Sequence, residues 1–291
     1  MKSIKVASYA KVNLYLRITG VLENGYHSLE MVNSKISFSD EIEIQWISSK
    51  GITLRVSDPT IPADETNTAY IAAQRFLEQT HIGQGILINL HKKIPHGAGL
   101  GGGSSNAASV LFGLNQLFDC PLRNEHLQKI GQGIGADVPF FLADGCSFVQ
   151  GFGERIAAVP VHRSFKNNPP WLVLCSPSVH VSTKVAYRLW DQKGQPGGLP
   201  VTTIIRGLAC GETAALSDGL YNSFESVIYP EFPELADLYQ RFVNVSPTKP
   251  ILSGSGSNMF SLHGEKQEAD ETAQRLLDQG VTAQVCQLLL V

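Results

Sequence analysis

The sequence predicts an α+β protein built from two domains. Three observations carry this expectation. The chain has 291 residues, more than one compact core usually holds. Stretches of period two dominate its first hundred residues, with a helical stretch among them. A polar, proline-rich stretch at 161–170 (VHRSFKNNPP) reads as a connection between an N-terminal domain, 1–160, and a C-terminal domain, 161–291.

Each element follows from its own pattern. Val12, Leu14, Leu16 and Ile18 alternate with Lys11, Asn13, Tyr15 and Arg17, as in a half-buried strand. Gly20 and Asn24-Gly25 signal turns. Residues 41–47 (EIEIQWI) alternate again, and 53–56 form a short strand. Residues 68–78 have helical spacing, with Ile71, Ala72 and Phe76 on one face. Residues 85–91 (GILINLH) are a further alternating strand. After a glycine-rich stretch, Ala107, Leu111, Leu114 and Phe118 recur at helical intervals. That helix is expected to end near Asp119, before Cys120-Pro121. A second helix is expected over 124–134. In the C-terminal half, 171–175 (WLVLC) reads as a buried strand and 183–191 as a helix, followed by a loop at 192–200. Helices over 202–208 and 231–243 come next. A loop at 253–257, a strand over 259–263, a helix over 265–278 and a strand over 281–290 complete the chain. Gly280 is a suitable residue just past that last helix. There is no internal repeat and no low-complexity tract.

Composition narrows the function classes. Hydrophobic residues make up 43% and charged residues 17%, an ordinary globular mix. The net charge of −3 argues against long nucleic acid as a partner, although a local loop can still hold one anionic ligand through backbone N–H groups. Five cysteines with no C-x-x-C pair favour neither a disulfide framework nor a thiolate zinc site. Lys5 and Lys11 interrupt the N-terminal stretch, so no signal peptide is expected. No run of 18 apolar residues exists, so no membrane partner is expected and a cytoplasmic protein is.

The chemistry concentrates in 97–105, GAGLGGGSS. Five glycines in seven residues cost backbone entropy on folding, which a plain connector would avoid. A helix beginning directly after them offers free N–H groups and a positive dipole end, which together suit phosphate. A tight structural turn is the other use of such glycines. Among phosphate loops, a Walker A loop needs lysine where Gly103 stands. Gly97-Ala98-Gly99-Leu100-Gly101-Gly102 matches G-x-G-x-x-G literally, but Cys120-Pro121 and a helix follow where a dinucleotide fold needs a second parallel strand. The V-A-I-K, H-R-D and D-F-G motifs of protein kinases are missing, as are G-x-S-x-G and H-E-x-x-H.

Pro95-His96-Gly97-Ala98-Gly99-Leu100-Gly101-Gly102-Gly103-Ser104-Ser105 resembles the phosphate loop of the GHMP kinases (galactokinase, homoserine kinase, mevalonate kinase and phosphomevalonate kinase). Ala10-Lys11-Val12-Asn13-Leu14 is similar to the first motif of that family and Leu252-Ser253-Gly254-Ser255-Gly256-Ser257 to its third. Gly25-Tyr26-His27-Ser28-Leu29, Gly135-Ala136-Asp137-Val138-Pro139-Phe140-Phe141, Gly151-x-Gly153-Glu154 and Asn222-Ser223-Phe224-Glu225 resemble a narrower group within it. That group acts on a cytidine diphosphate-linked methylerythritol in the non-mevalonate route to isoprenoid precursors. A mevalonate- or homoserine-type kinase and an inactive nucleotide-binding module are the alternatives. Tyr9 stands where the family usually has proline, and Glu23-Asn24-Gly25 where it usually has Asp-Gly; neither change touches an implied catalytic residue.

The resemblance implies the two-domain GHMP kinase fold with the active site in the cleft between the domains. It implies ATP as phosphoryl donor, Mg²⁺ with the nucleotide, and the 2-hydroxyl of a small-molecule substrate as acceptor. ATP would be held by residues 95–105, with Asn67 near the adenine. Ser104 or Ser105 could touch the metal. Asp137 would accept the hydroxyl proton and Lys11 would stabilise the developing alkoxide. Pattern alone equally allows Asp137 as a helix N-cap and Lys11 as a solvated strand residue, and Asn67 as a simple N-cap. Tyr26 would stack on the cytosine, His27 would hydrogen-bond its edge, Tyr187 would be a second stacking face and Thr183 an adjacent polar contact. Without the family, Tyr26 and His27 read as well as a hairpin lid. Asn13, two residues from Lys11 on the same strand face, can point into the same site.

Overall fold

The computed structural model describes residues 2–23 and 25–290. The chain forms two compact units that interleave in sequence. The first takes the residues up to Ala10, Phe38–His96 and Gly101–Asp144. The second takes Lys11–Ser37, Gly97–Leu100 and the chain from Gly145 onward. The proline-rich stretch 161–170 lies within the second unit and carries a short helix.

Two long strands, β1 (Ser3–Val21) and β2 (His27–Ile47), contribute to both units. The first unit adds β3 (Ile52–Val56), α1 (Thr68–Thr80), β4 (Gly85–His91), α2 (Gly102–Leu117), α3 (Asn124–Gln132) and α4 (Val138–Leu142). β4 runs antiparallel to the end of β2, from Glu41 opposite His91 to Ile47 opposite Gly85, and parallel to β3 on its other side. The alternation seen in the sequence places Ile42, Ile44, Ile86 and Ile88 in the core. Helix α1 buries Ala69, Ala72, Ala73 and Phe76, and α2 buries Ala107, Ala108, Val110, Leu111, Leu114 and Leu117. Helix α2 begins at Gly102, inside the glycine run rather than after it, and Phe118 caps its end.

The second unit adds β5 (Ser147–Gly151), β6 (Arg155–Ala158), α5 (Arg163–Asn167), β7 (Trp171–Cys175), α6 (Thr183–Lys193), α7 (Val201–Cys210), α8 (Thr213–Asp218), β8 (Tyr221–Asn222), α9 (Glu225–Glu231), α10 (Pro233–Val245), β9 (Ile251–Leu252), β10 (Met259–His263), α11 (Lys266–Asp278) and β11 (Ala283–Leu289). β7 lies between β10 and β11, antiparallel to both, which explains its continuous apolar run. β11 continues onto β2, Leu288 opposite Ile36, and β5 pairs with β2, Leu29 opposite Gly151. Gly280, with φ 75°, terminates α11 as expected.

Other features also depart from the sequence expectation. β1 is buried on both faces over 10–16, so Lys11, Asn13 and Tyr15 are as enclosed as Val12 and Leu14. Its polar face turns toward other protein groups, which period two cannot distinguish from solvent. β2 begins at His27 and not at Glu41; residues 27–40 do not read as strand in the sequence because buried Asn33, Ser34 and Asp40 interrupt the alternation. The β5–β6 hairpin was not anticipated, since Gly151 and Gly153 obscure its two short strands. Asn24 of the expected turn lies outside the described residues; Gly25 beside it has φ 81°. Among the described residues no helix is long and apolar enough to cross a membrane.

Candidate active site

The glycine run does two jobs in two short pieces. Residues 97–100 belong to the second unit and 101–105 to the first. Gly99 has φ 76°, and a Cβ there would lie 2.3 Å from the Ser253 carbonyl oxygen, so only glycine fits. The neighbouring carbonyls are all engaged: Asn258 Nδ2 donates to Ala98 O (2.6 Å), Ser253 Oγ to Gly99 O (3.3 Å) and Lys11 N–H to Leu100 O (3.0 Å). Gly101, φ 69°, is the N-cap of α2 and brings no side chain to the first amides of that helix. An anion is the natural partner for such amides.

A sealed polar network fixes the start of α2. Asp40, 1% exposed, accepts from the backbone N–H groups of Lys93 (2.6 Å) and Ile94 (2.8 Å). Its other oxygen pairs with the Lys92 ammonium and accepts from Asn106 Nδ2 (2.8 Å). Lys92 also donates to Asn106 Oδ1 (3.1 Å). Asn106 Nδ2 reaches Ser8 Oγ (2.9 Å), and Ser8 Oγ donates to Ser105 Oγ (2.8 Å). The Ser105 hydroxyl is therefore engaged inside the protein, whereas Ser104 beside it is half-buried. Pro95 and His96, just before the loop, are exposed.

Asp137 and Asn67 meet opposite outcomes. Asp137 stands at the N-cap of α4, but its side chain makes no capping bond. Its segment approaches the loop: a Cβ on Gly135 would lie 3.7 Å from Ser104 Oγ. Asn67 is a full N-cap, accepting from Ala69 N–H (2.9 Å) and donating to Pro62 O (2.7 Å). It still sits beside the loop, because the adjacent Thr68 donates to Gly103 O (2.8 Å).

In the second unit, Lys11 is 5% exposed and donates from Nζ to Asn13 Oδ1 (2.7 Å). Asn13 Nδ2 donates in turn to Asn33 Oδ1 (2.7 Å). Lysine can only donate, so the row has one direction and each amide one orientation. Asn13 thus holds the Lys11 amine. The 253–257 loop lies against this row, since a Cβ on Gly254 would be 3.3 Å from Asn13 Oδ1. Asn222 clamps that loop through Nδ2 to Leu252 O and Gly254 O, both 2.8 Å. Glu225, its carboxyl held above the usual range by burial, accepts from Leu252 N–H and the Tyr229 hydroxyl, both at 3.0 Å.

The remaining expected residues gather near α6. His27 stacks on Tyr187, centroids 4.5 Å apart, and its Nε2 is 2.6 Å from Asp191 Oδ1. Tyr26 is 63% exposed at the β1–β2 turn, with its ring 5.8 Å from that of Phe152. Thr183 Oγ1 lies 3.2 Å from Ser255 Oγ, linking α6 to the 253–257 loop.

Residues 67–145 match the family model "GHMP kinases N terminal domain". A 4-diphosphocytidyl-2-C-methyl-D-erythritol kinase from Syntrophus aciditrophicus is 37% identical over 97% of this chain and 98% of its own length. The protein of the same name from Caldicellulosiruptor bescii is 33% identical over 94% of each chain. The crystal structure of a 4-(cytidine 5'-diphospho)-2C-methyl-D-erythritol kinase superposes with a TM-score of 0.82 at 33% identity, covering 98% of this chain and 99% of that one. The chain belongs to the GHMP kinase family.

This GHMP kinase is an ATP-dependent small-molecule kinase. Its sequence shows the loop glycines directly but hides the groups that support the loop, the Lys11 row and His27. Asp40, Lys92, Ser8, Asn33 and Asp191 carry no motif of their own. Asp191 alone had a readable signal, since it follows Thr183 and Tyr187 at intervals of four along one helix.

Proposed function

We propose that the chain transfers the γ-phosphoryl group of ATP to the 2-hydroxyl of 4-diphosphocytidyl-2-C-methyl-D-erythritol, in the non-mevalonate route to isoprenoid precursors. Its full-length relatives named for that activity support the substrate. The observation that carries the chemistry is the enclosed Lys11, whose amine is held by the Asn13–Asn33 row. A buried ammonium is costly and is kept where its charge has a task. In the reaction the acceptor oxygen forms a bond to the γ-phosphorus as the bond from that phosphorus to the β-bridging oxygen breaks, giving ADP. Asp137 takes the hydroxyl proton, and Lys11 offsets the negative charge developing on the acceptor oxygen. The amides at the start of α2 and the loop from Pro95 to Ser105 hold the phosphates, with Asn67 on the adenine side. Tyr26, His27, Tyr187 and Thr183 bind the cytidine end.

Mg²⁺ accompanies ATP and offsets the charge on the phosphate oxygens when bound. The donors at the loop are hydroxyls and amides, and among the described residues no group of three or more His, Cys, Asp or Glu is arranged for a metal. That set suits an ion delivered by the nucleotide, to which the Ser104 hydroxyl would add a ligand. Measured ADP release should appear with the cytidine diphosphate-linked methylerythritol and not with mevalonate or homoserine. No turnover of the first compound would refute the substrate assignment.

A further inference from the structure

Thr183, Tyr187 and Asp191 recur every fourth residue and share one stripe of α6. Two of them grip His27. Tyr187 holds the face of the imidazole, with an interplanar angle of 28°, and Asp191 holds one nitrogen at 2.6 Å. Tyr187 is itself braced edge-on against Phe224, 5.0 Å away at 83°, and Phe224 is 1% exposed. The ring of His27 is therefore fixed in both plane and rotation by a firm support.

The partner at Nε2 also settles where the ring proton lies. A carboxylate only accepts, so Nε2 is the N–H nitrogen and, in the neutral ring, Nδ1 is the accepting one. Cytosine and uracil differ at one edge group: cytosine carries an amino group that donates, where uracil carries a carbonyl oxygen that accepts. An accepting Nδ1 pairs with the amino group and sets lone pair against lone pair with the carbonyl. The opposite tautomer, or a freely turning ring, loses that distinction.

We propose that Asp191 is a positioning residue that determines base specificity: by holding Nε2–H of His27 it commits the neutral ring to an accepting Nδ1, which selects a cytidine-linked over a uridine-linked substrate. This rests on the substrate reading above and adds to it the group that enforces the choice. Asp191 acts through His27, and its side chain is 53% exposed, so its removal leaves the helix core untouched.

The test compares kcat/KM for cytidine- and uridine-linked methylerythritol diphosphate at saturating ATP. In Asp191→Ala the preference for cytidine should fall on the order of tenfold, equivalent to about 1.4 kcal/mol, through the KM values with kcat largely kept. Ring ¹⁵N spectra should show the His27 proton on Nε2 in the unaltered protein and a mixed population in the variant, a change that a merely structural role would not produce. Lys193→Ala, which removes a pair with Glu231 from the same helix, is the control and should keep both the ratio and the tautomer. An Asp191→Ala protein with unchanged preference and unchanged ring spectrum would overturn the proposal. Failure of the substrate reading shows separately, as absent turnover of the cytidine-linked compound by the unaltered protein, and takes this proposal with it.

Discussion

The Asp40–Lys92–Asn106 cluster at the start of α2 and the His27–Tyr187–Asp191 cluster on α6 each hold a nitrogen group on an aspartate, yet one is sealed and the other is open. Asp40 and Lys92 have side chains 0% and 6% exposed, whereas Asp191 is 53% exposed. In the sealed cluster every bond replaces water that cannot return, so losing one partner strands another. In the open cluster water substitutes freely, and the contact contributes orientation more than stability. The difference teaches where a kinase of this kind can vary. The support of the glycine loop is fixed by burial, whereas a residue as exposed as Asp191 can change at little cost to the fold. The Lys11–Asn13–Asn33 row is of the sealed type.

The largest effects are expected at Lys11, in the sealed row, and at half-buried Asp137. Lys11→Met, or Asp137→Asn, should lower kcat on the order of 10³-fold while calorimetry still shows nucleotide binding. Near-normal turnover would remove that residue from the chemistry. Asp40→Asn keeps an acceptor for the amides but strands the Lys92 charge. It should cost about 3 kcal/mol in urea unfolding, and adding Lys92→Met should recover most of the loss. A cost under about 1 kcal/mol would mean that this network is no more sealed than a surface pair.

A buried histidine extends the contrast to pH. His263, 0% exposed in β10 and bonded to Ser261 Oγ at 2.8 Å, has its pKa lowered to about 4 by burial, from an ordinary 6.5. Its folded pKa lies below the unfolded one, so the unfolded chain takes up a proton that the folded chain refuses. The stability is fully present above about pH 6.5 and is lost as the pH falls toward about 4, by at most about 3 kcal/mol. Thermal unfolding across that window should show the slope in the parent and a flatter one in His263→Asn. An identical slope in both would place the acid sensitivity elsewhere.

Much of the fold was legible because local patterns record it. The strands β4, β7 and β10 and helix α1 follow from periodicity, capping and apolar runs within a few residues of each other. The boundaries that failed lie where polar residues are buried. β2 could not be read back to His27 because Asn33, Ser34 and Asp40 look like surface residues until the partners that satisfy them are known. The glycine loop itself stood out in the sequence. The start of α2 within it did not, because helical spacing is carried by apolar side chains that glycines lack.

The α+β class, the glycine loop and the family motifs could be read directly along the chain, because each is written in neighbouring residues. Only the tertiary structure decided that Lys11 is enclosed rather than solvated, that Asp137 does not cap its helix, and that Asn67 does cap its own. It also decided that Asp40 lies under the loop, Asn33 behind Asn13, and Asp191 beside His27. The Asp40, Asn33 and Asp191 contacts join residues 20 to 164 positions apart in the chain. Periodicity states which way a side chain leaves its own element; what it meets there depends on strand register and helix packing.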